Sequence, residues 1–143
     1  MEPPYLDHIG IAVRELDAAV STYGDALGLT ACGREHLADR GIEVAIFQAG
    51  SSRIELIAAA APDSEISKYL QKRGEGLHHI CLQVTDLDAT LGRLKASGVR
   101  LIDQVPRTGA EGKRTAFVHP HACHGVLIEL AEKTPPKENH HGR

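Results

Sequence analysis

Two stretches of the chain share one pattern of apolar and polar positions. In residues 6–18 apolar side chains first alternate with other side chains and then recur at helical spacing, and residues 77–89 repeat this order 71 positions later. Seven of the thirteen aligned positions are identical. The alternation predicts a strand with two different faces, and the helical spacing predicts a helix after it. We interpret the chain as a tandem duplication.

Three shorter apolar runs follow the strand and helix of each copy. They lie near residues 29–35, 41–47 and 53–57 in the first copy and near residues 100–105, 115–118 and 126–131 in the second copy. Each copy therefore predicts the order βαβββ. The predicted fold class is α+β, with two tandem βαβββ modules that form one curved mixed sheet and carry their helices on the outside.

The two copies predict a single domain over residues 5–132. The first module covers about residues 5–58, and the second covers about residues 76–132. Between them, a serine followed by helically spaced apolar residues predicts a linker helix near residues 63–73. Residues 133–143 are rich in charge and contain two prolines, and we expect them to form a flexible tail.

Composition excludes several classes of protein. The 143 residues are 42% hydrophobic and 24% charged, which is typical of a globular protein, and the net charge of −3 argues against nucleic-acid or membrane-surface binding. The longest apolar run has six residues, whereas a membrane helix needs about 20. The first residues lack the pattern of a secretory signal. Three cysteines without a paired motif favour a reducing cytoplasm.

Histidine and glutamate recur at matching places in the two copies. Period-two geometry places His8 and His79 opposite branched aliphatic residues, and we expect Glu43, Glu55 and Glu129 to face the same side of the sheet. Converging carboxylates repel each other unless a cation lies between them. The two repeated histidines, with the two repeated glutamates Glu55 and Glu129, therefore predict a divalent-metal site around which the sheet curves. This ligand set suits Co, Mn, Ni, Zn or Fe(II) better than Ca.

Several strings of the chain carry a more specific resemblance. These are residues 7–13, 54–56, 76–80, 106–112, 119–120 and 125–130. They resemble the methylmalonyl-CoA epimerase family of the vicinal-oxygen-chelate superfamily, which also contains glyoxalase I, extradiol dioxygenases and fosfomycin-resistance proteins. The resemblance covers about residues 5–132. It implies one divalent metal ion, Co(II) in the first place with Mn(II), Ni(II) or Zn(II) as alternatives, bound by His8, Glu55, His79 and Glu129.

The resemblance also implies a reaction and a substrate. The substrate would be methylmalonyl-CoA, inverted at C2 between its (R) and (S) forms through a metal-stabilised enolate. Inversion needs acid–base groups on both faces of the carbon, and the resemblance assigns Glu43 and Glu129 to these roles. Glu43 also breaks the symmetry of the repeat, because its counterpart in the second copy is Arg114. A metal-bound water is an alternative to Glu129. We further expect a homodimer.

Other functions remain open at the level of sequence. The alternatives are another metal-dependent member of the superfamily, such as a glyoxalase-type lyase or an extradiol dioxygenase, and a metal-free binding protein of the resistance type. Of the remaining candidates, we interpret the His119, His121 and His124 cluster as a loop, because its spacing matches no standard zinc pattern. His78 is expected to point away from the site, and Cys81 is expected to be a small core residue.

Overall fold

The computed structural model describes residues 2–134, so residues 135–143 of the predicted tail lie outside the described residues. The elements are the strands β1 (Tyr5–Ala12), β2 (Thr30–Leu37), β3 (Ile42–Ala49), β4 (Ser52–Ala59), β5 (Gly76–Val84), β6 (Arg107–Thr108), β7 (Arg114–Val118) and β8 (Ile128–Glu132), and the helices α1 (Leu16–Ser21), α2 (Glu65–Arg73) and α3 (Leu87–Ala96). A π-helical turn, Thr22–Ala26, extends α1. The first copy thus follows the predicted order of elements, and the second copy follows it with the two-residue β6 in place of the strand predicted near residues 100–105.

The eight strands form one curled mixed sheet in the order β2-β3-β4-β1-β5-β8-β7-β6. Within the modules β1 pairs with β4 and β5 pairs with β8 in parallel, and an antiparallel pairing of β1 with β5 joins the two modules. The remaining pairs are antiparallel. This half-barrel confirms the predicted fold class.

The strand predicted near residues 100–105 does not form. Leu101 makes an isolated bridge to Val118, and the edge of the sheet is the two-residue strand β6. The main-chain NH groups of Ile102 and Asp103 both donate to the carbonyl of Phe117, while the Asp103 carboxylate accepts from the NH of Phe117. A side chain therefore replaces one bond of a regular ladder, and this stops the strand.

Helices α1 and α3 cover the convex face of the sheet. Around α1 the buried side chains are Val13, Leu16, Ala45, Phe47, Leu56 and Ala58. Around α3 they are Val84, Leu87, Leu91, Leu101, Ala116, Val118 and Leu130. Each module has its own apolar core on this face.

Helix α2 packs against the other face of the first module. Its Ile66 and Leu70 contact a buried cluster that includes Ile42, Val44 and Ile57. The Ser64 side chain accepts a hydrogen bond from the NH of Ser67 and caps the start of the helix. Strand β3 is therefore apolar on both faces, with α1 on one side and α2 on the other.

Two bulges at the seam between the modules alter the alternation of side chains. The pairing of β1 with β5 shifts by one residue at Asp7 and again at His78. A bulge lets two successive residues turn toward the same face. Asp7 and His8 both line the concave cavity, as do His78 and His79. The two bulges occupy equivalent places in the repeat.

Between residues 2 and 134, the structure contains no helix of the length and apolar character needed to cross a membrane.

Candidate metal centre

Three of the predicted ligands meet on the concave face. Nε2 of His8 lies 3.3 Å and Nε2 of His79 lies 3.1 Å from Oε1 of Glu129, and the two Nε2 atoms are 3.2 Å apart. All three side chains are buried. Two imidazoles and a carboxylate within this distance form a donor set that fits a divalent transition metal.

The fourth predicted ligand, Glu55, lies beside this cluster. Its Oε2 is 3.2 Å from Nδ1 of His8, so it approaches the opposite nitrogen of that ring. It is buried and lines the same cavity. The structure therefore brings Glu55 to the site, but not into the group formed by His8, His79 and Glu129. Coordination by Glu55 stays a prediction.

Gly10 makes room for the His79 ring. A Cβ atom at Gly10 would lie 2.2 Å from Cε1 and 2.5 Å from Nδ1 of His79. The imidazole thus lies directly against the backbone of β1, and any side chain at this position would displace it. This explains why the first copy has glycine where the second copy has Cys81.

Asp7 positions the His8 ring. Its Oδ2 accepts a hydrogen bond of 2.7 Å from Nδ1 of His8, and Lys113 Nζ and an Arg53 nitrogen lie 3.4 and 3.7 Å from the Asp7 carboxylate. Burial alone would raise the pKa of Asp7, but the bond from His8 and these two cations lower it to about 2. An ionised Asp7 that holds Nδ1 directs Nε2 toward the cluster.

His78 plays the matching part for His79. The two Nδ1 atoms are 2.9 Å apart. Burial and the neighbouring His79 lower the pKa of His78 to about 4, so it is a neutral acceptor, and we assign the shared proton to Nδ1 of His79. That leaves Nε2 of His79 for the cluster. The expectation that His78 points away is wrong, because the bulge turns it inward.

Removing the charge of Asp7 tests this positioning. We expect Asp7→Asn to weaken Co(II) binding by about 10–100-fold, because the amide no longer holds the His8 ring by a charged hydrogen bond. Affinity can be measured by competition with a chelating dye. Asp17→Asn, at an exposed carboxylate that pairs with Arg34, is the control. Equal affinity for wild type and Asp7→Asn would contradict the role.

The site strongly favours positive charge between its carboxylates. Burial alone would lower the pKa of His8, but contacts to Asp7, Cys81 and Glu129 raise it to about 12. Burial would raise the pKa of Glu129, yet hydrogen bonds from His79 and His8 hold it well below its usual range. The electrostatics thus suit a bound cation.

Two other groups of the site, Glu55 and Cys81, have raised pKa values, which favour their uncharged forms. Burial raises the pKa of Glu55 to about 7, with the Glu129 charge adding to the rise and His8 opposing it. Burial also raises the pKa of the Cys81 thiol to about 12, so Cys81 stays protonated beside Asp7 and His8. Glu55 is therefore the carboxyl group beside the cluster whose pKa lies near neutral pH in the absence of a metal.

Glu43 does not join the site. Its side chain is 45% exposed on the α1 side of β3, where its carboxylate lies 3.6 Å from an Arg34 nitrogen and 4.0 Å from Nδ1 of His36. Ile42 and Val44 line the cavity in its place. The prediction that Glu43 faces inward is wrong, because both faces of β3 are apolar and the concave one belongs to Ile42 and Val44.

The cluster lies at the floor of a cavity of about 530 Å³. Its wall includes Arg40, Phe117 and Lys113, and it reaches the start of α2. The histidines after β7 lie elsewhere. The rings of His119 and His121 pack edge to face, with centroids 4.8 Å apart, where the turn Pro120–Cys123 begins, and no donor group that includes them occurs in the described part of the chain.

The fold and the site together define a class of protein. The model of the Glyoxalase/Bleomycin resistance protein/Dioxygenase superfamily matches residues 7–117. The chain belongs to this superfamily, as its repeated strings predict.

Relatives within the superfamily are more specific. The ethylmalonyl-CoA/methylmalonyl-CoA epimerase of Cereibacter sphaeroides is 36% identical over 129 residues, which cover 89% of this chain and 96% of that protein. The crystal structure of methylmalonyl-CoA epimerase from Mycobacterium tuberculosis has a TM-score of 0.86 at 42% identity, covering 91% of this chain and 88% of that one. A methylmalonyl-CoA epimerase in complex with methylmalonyl-CoA and NH4+ has a TM-score of 0.89 at 35% identity, covering 96% and 100%. These similarities support the predicted enzyme class, an epimerase.

Proposed function

We propose that the chain is a metal-dependent methylmalonyl-CoA epimerase that interconverts the (R) and (S) forms of its substrate. The observation that carries this proposal is the buried cluster of His8, His79 and Glu129, with Glu55 as a further carboxylate at the floor of one cavity. Relatives named for this activity support it. A metal-free binding protein would not need three such donors buried together.

The chemistry of the substrate explains the donor set. C2 of methylmalonyl-CoA lies between a thioester and a carboxylate, so its proton is weakly acidic, and its removal leaves an enolate that needs stabilisation. A divalent ion at His8, His79 and Glu129, with Glu55 as the fourth ligand, would supply that stabilisation electrostatically. We propose Co(II), with Mn(II), Ni(II) or Zn(II) as alternatives.

We infer that two carboxylates, Glu55 and Glu129, serve the two faces of C2. Glu55 belongs to β4 and Glu129 to β8, and these strands flank the histidine-bearing pair β1 and β5 on opposite sides. The carboxylates therefore approach the floor of the cavity from two directions. We assign one face to Glu55, because its carboxylate is buried beside the cluster and lines the cavity, within reach of a bound acyl group. We assign the other face to Glu129. Each carboxylate has two oxygens, so one oxygen can bind the metal while the other exchanges a proton with the substrate.

The test is proton exchange at C2. We expect the Co(II)-loaded protein to replace the C2 proton of (R)-methylmalonyl-CoA by deuterium in heavy water and to form the (S) enantiomer. Proton NMR measures the exchange, and an enantiomer-specific coupled assay measures the inversion. Chelation should stop both, and added Co(II) or Mn(II) should restore them. Absence of exchange with all four proposed metals would refute the proposal.

Glu43 provides a contrasting variant. Because its carboxylate lies outside the cavity and pairs with Arg34, we expect Glu43→Gln to retain wild-type metal content and wild-type kcat/KM for epimerisation. Initial rates with each enantiomer check this. A large loss of rate with an unchanged melting temperature would restore Glu43 to the mechanism and contradict the placement of its side chain.

Two further expectations concern the surroundings of the enzyme. We propose that it acts as a homodimer, which sedimentation can test. Its location in a reducing cytoplasm remains a prediction from the use of cysteine. Within residues 2–134 the three cysteines form no disulfide with one another.

A further inference from the structure

An arginine projects into the cavity next to the metal centre. Arg40 is half-buried and ends the 3-10 turn Ala38–Arg40 between β2 and β3. Its guanidinium carbon lies 5.8 Å from the centre of the Phe117 ring, and the Phe117 ring packs edge-on at 5.7 Å against the ring of His79. The cation is thus separated from a proposed metal ligand by a single aromatic ring.

Arg40 differs from the other cations of the cavity wall. Lys113 lies 3.4 Å from Asp7, and Arg107 lies 3.8 Å from Asp103. Across residues 2–134, no carboxylate comes within 4.0 Å of the Arg40 guanidinium, and Lys68 on the exposed surface of α2 is the other unpaired cation of the wall. A guanidinium offers a planar set of donors that matches a carboxylate, and in Arg40 this set is unused.

The backbone around Arg40 is held in place. Gly41 has a φ of 64°, and its carbonyl accepts hydrogen bonds of 2.8 and 3.2 Å from the NH groups of Ala60 and Ala61. A Cβ atom at Gly41 would lie 2.9 Å from Cβ of Ala61. The turn is therefore clamped against the segment that connects β4 with α2. Because its backbone is fixed by these contacts and its guanidinium lies on the Phe117 ring, Arg40 is preorganised before any ligand binds.

We propose that Arg40 binds the free carboxylate of the acyl group, an inference that rests on the proposed function. In a malonyl-type acyl group this carboxylate is attached to C2, which must lie over His79 and Glu129. The phosphates of coenzyme A lie at the far end of the pantetheine arm. The floor of the cavity also holds Asp7, Glu55 and Glu129, which repel an anionic acyl group, and Arg40 offsets that repulsion. A carboxylate has enough lone pairs to bind Arg40 and a cation together.

Three ligands, two variants of Arg40 and one control variant test this assignment. Methylmalonyl-CoA and propionyl-CoA differ by the carboxylate alone, and free coenzyme A lacks the acyl group. We expect the Co(II)-loaded wild type to bind methylmalonyl-CoA more tightly than propionyl-CoA. Arg40→Gln should weaken the binding of methylmalonyl-CoA by about 10–100-fold and leave the dissociation constants of propionyl-CoA and free coenzyme A unchanged. The affinity of Arg40→Lys for methylmalonyl-CoA should lie between those of the wild type and Arg40→Gln. Lys68→Gln should not change the preference for methylmalonyl-CoA.

Calorimetric titration separates the outcomes. If Arg40→Gln weakens the binding of all three ligands equally, Arg40 contacts the phosphates and the inference is wrong. The inference is also wrong if Arg40→Gln binds methylmalonyl-CoA as tightly as the wild type does, or if the wild type does not prefer methylmalonyl-CoA to propionyl-CoA. Melting temperatures identify a misfolded variant, in which case the comparison uses Arg40→Lys. If the wild type exchanges the C2 proton but Arg40 makes no difference, this inference alone fails. If the wild type shows no exchange, the proposed function fails.

Discussion

Glu55→Gln is expected to stop epimerisation while the protein keeps its metal. Glutamine has the size and the hydrogen-bonding oxygen of glutamate but no affinity for a proton at neutral pH. Loss of a positioned general base lowers a rate by about 10²–10⁴-fold. Because Glu129 remains on the other face, the variant should still exchange the C2 proton of one enantiomer for deuterium, without inverting it.

The measurement follows deuterium incorporation into each enantiomer separately, together with metal content by elemental analysis. Glu43→Gln is the matched control, because it makes the same chemical change on the opposite face of the sheet. Near-normal inversion by Glu55→Gln would remove Glu55 from the mechanism. Loss of exchange with both enantiomers, with metal content intact, would instead indicate that Glu129 does not act as an independent base.

His79→Ala is expected to lose the metal itself. His79 contacts both other donors of the cluster, His8 at 3.2 Å and Glu129 at 3.1 Å, and its ring fills the space above Gly10. Its removal leaves only two of the three clustered donors, His8 and Glu129, and opens a cavity. Metal per chain should fall well below one, epimerisation should be lost, and added Co(II) should no longer raise the melting temperature.

The wild type provides the scale for this comparison. A ligand at 100 times its Kd stabilises a protein by about 2.7 kcal/mol, so a metal-dependent rise in melting temperature should be easy to measure. His36→Ala, at an exposed histidine on β2, is the control. His79→Gln keeps more of the volume if His79→Ala unfolds. Full metal occupancy in either His79 variant would show that the ligands are elsewhere.

The sequence predicts the fold and the central histidines because duplication supplies an internal check. One alternating strand with a histidine is weak evidence. Two such strands at equivalent positions must meet near the axis that relates the copies, as His8 and His79 do. Glu129 follows by the same argument from the strand parallel to β5.

Alternation alone cannot show an inserted residue. In a regular strand Asp7 and His78 would face the convex side, and the residue pattern contains no mark of the two bulges. The bulges are visible only in the pairing of β1 with β5. The contacts of Asp7 with His8 and of His78 with His79 could therefore not be predicted from the sequence.

Glu43 shows a second limit. Period-two geometry correctly groups Glu43 with Ala45 and Phe47, but it does not tell which face of β3 is concave. That depends on α2, which packs on the face of Val44. Arg40 is a third case. It lies on a short turn, and its proposed role in binding the substrate carboxylate depends on a contact with Phe117 from the other module, which the sequence does not reveal.

The seam between β1 and β5 has a consequence for how the protein unfolds. Within the described residues it is the single line of strand pairing between two modules that each have their own apolar core. His8 lies on one side of this seam, and His79 and Glu129 lie on the other. A cation bound by all three would cross-link the two halves across the seam, so metal binding should make the unfolding of the two modules more cooperative.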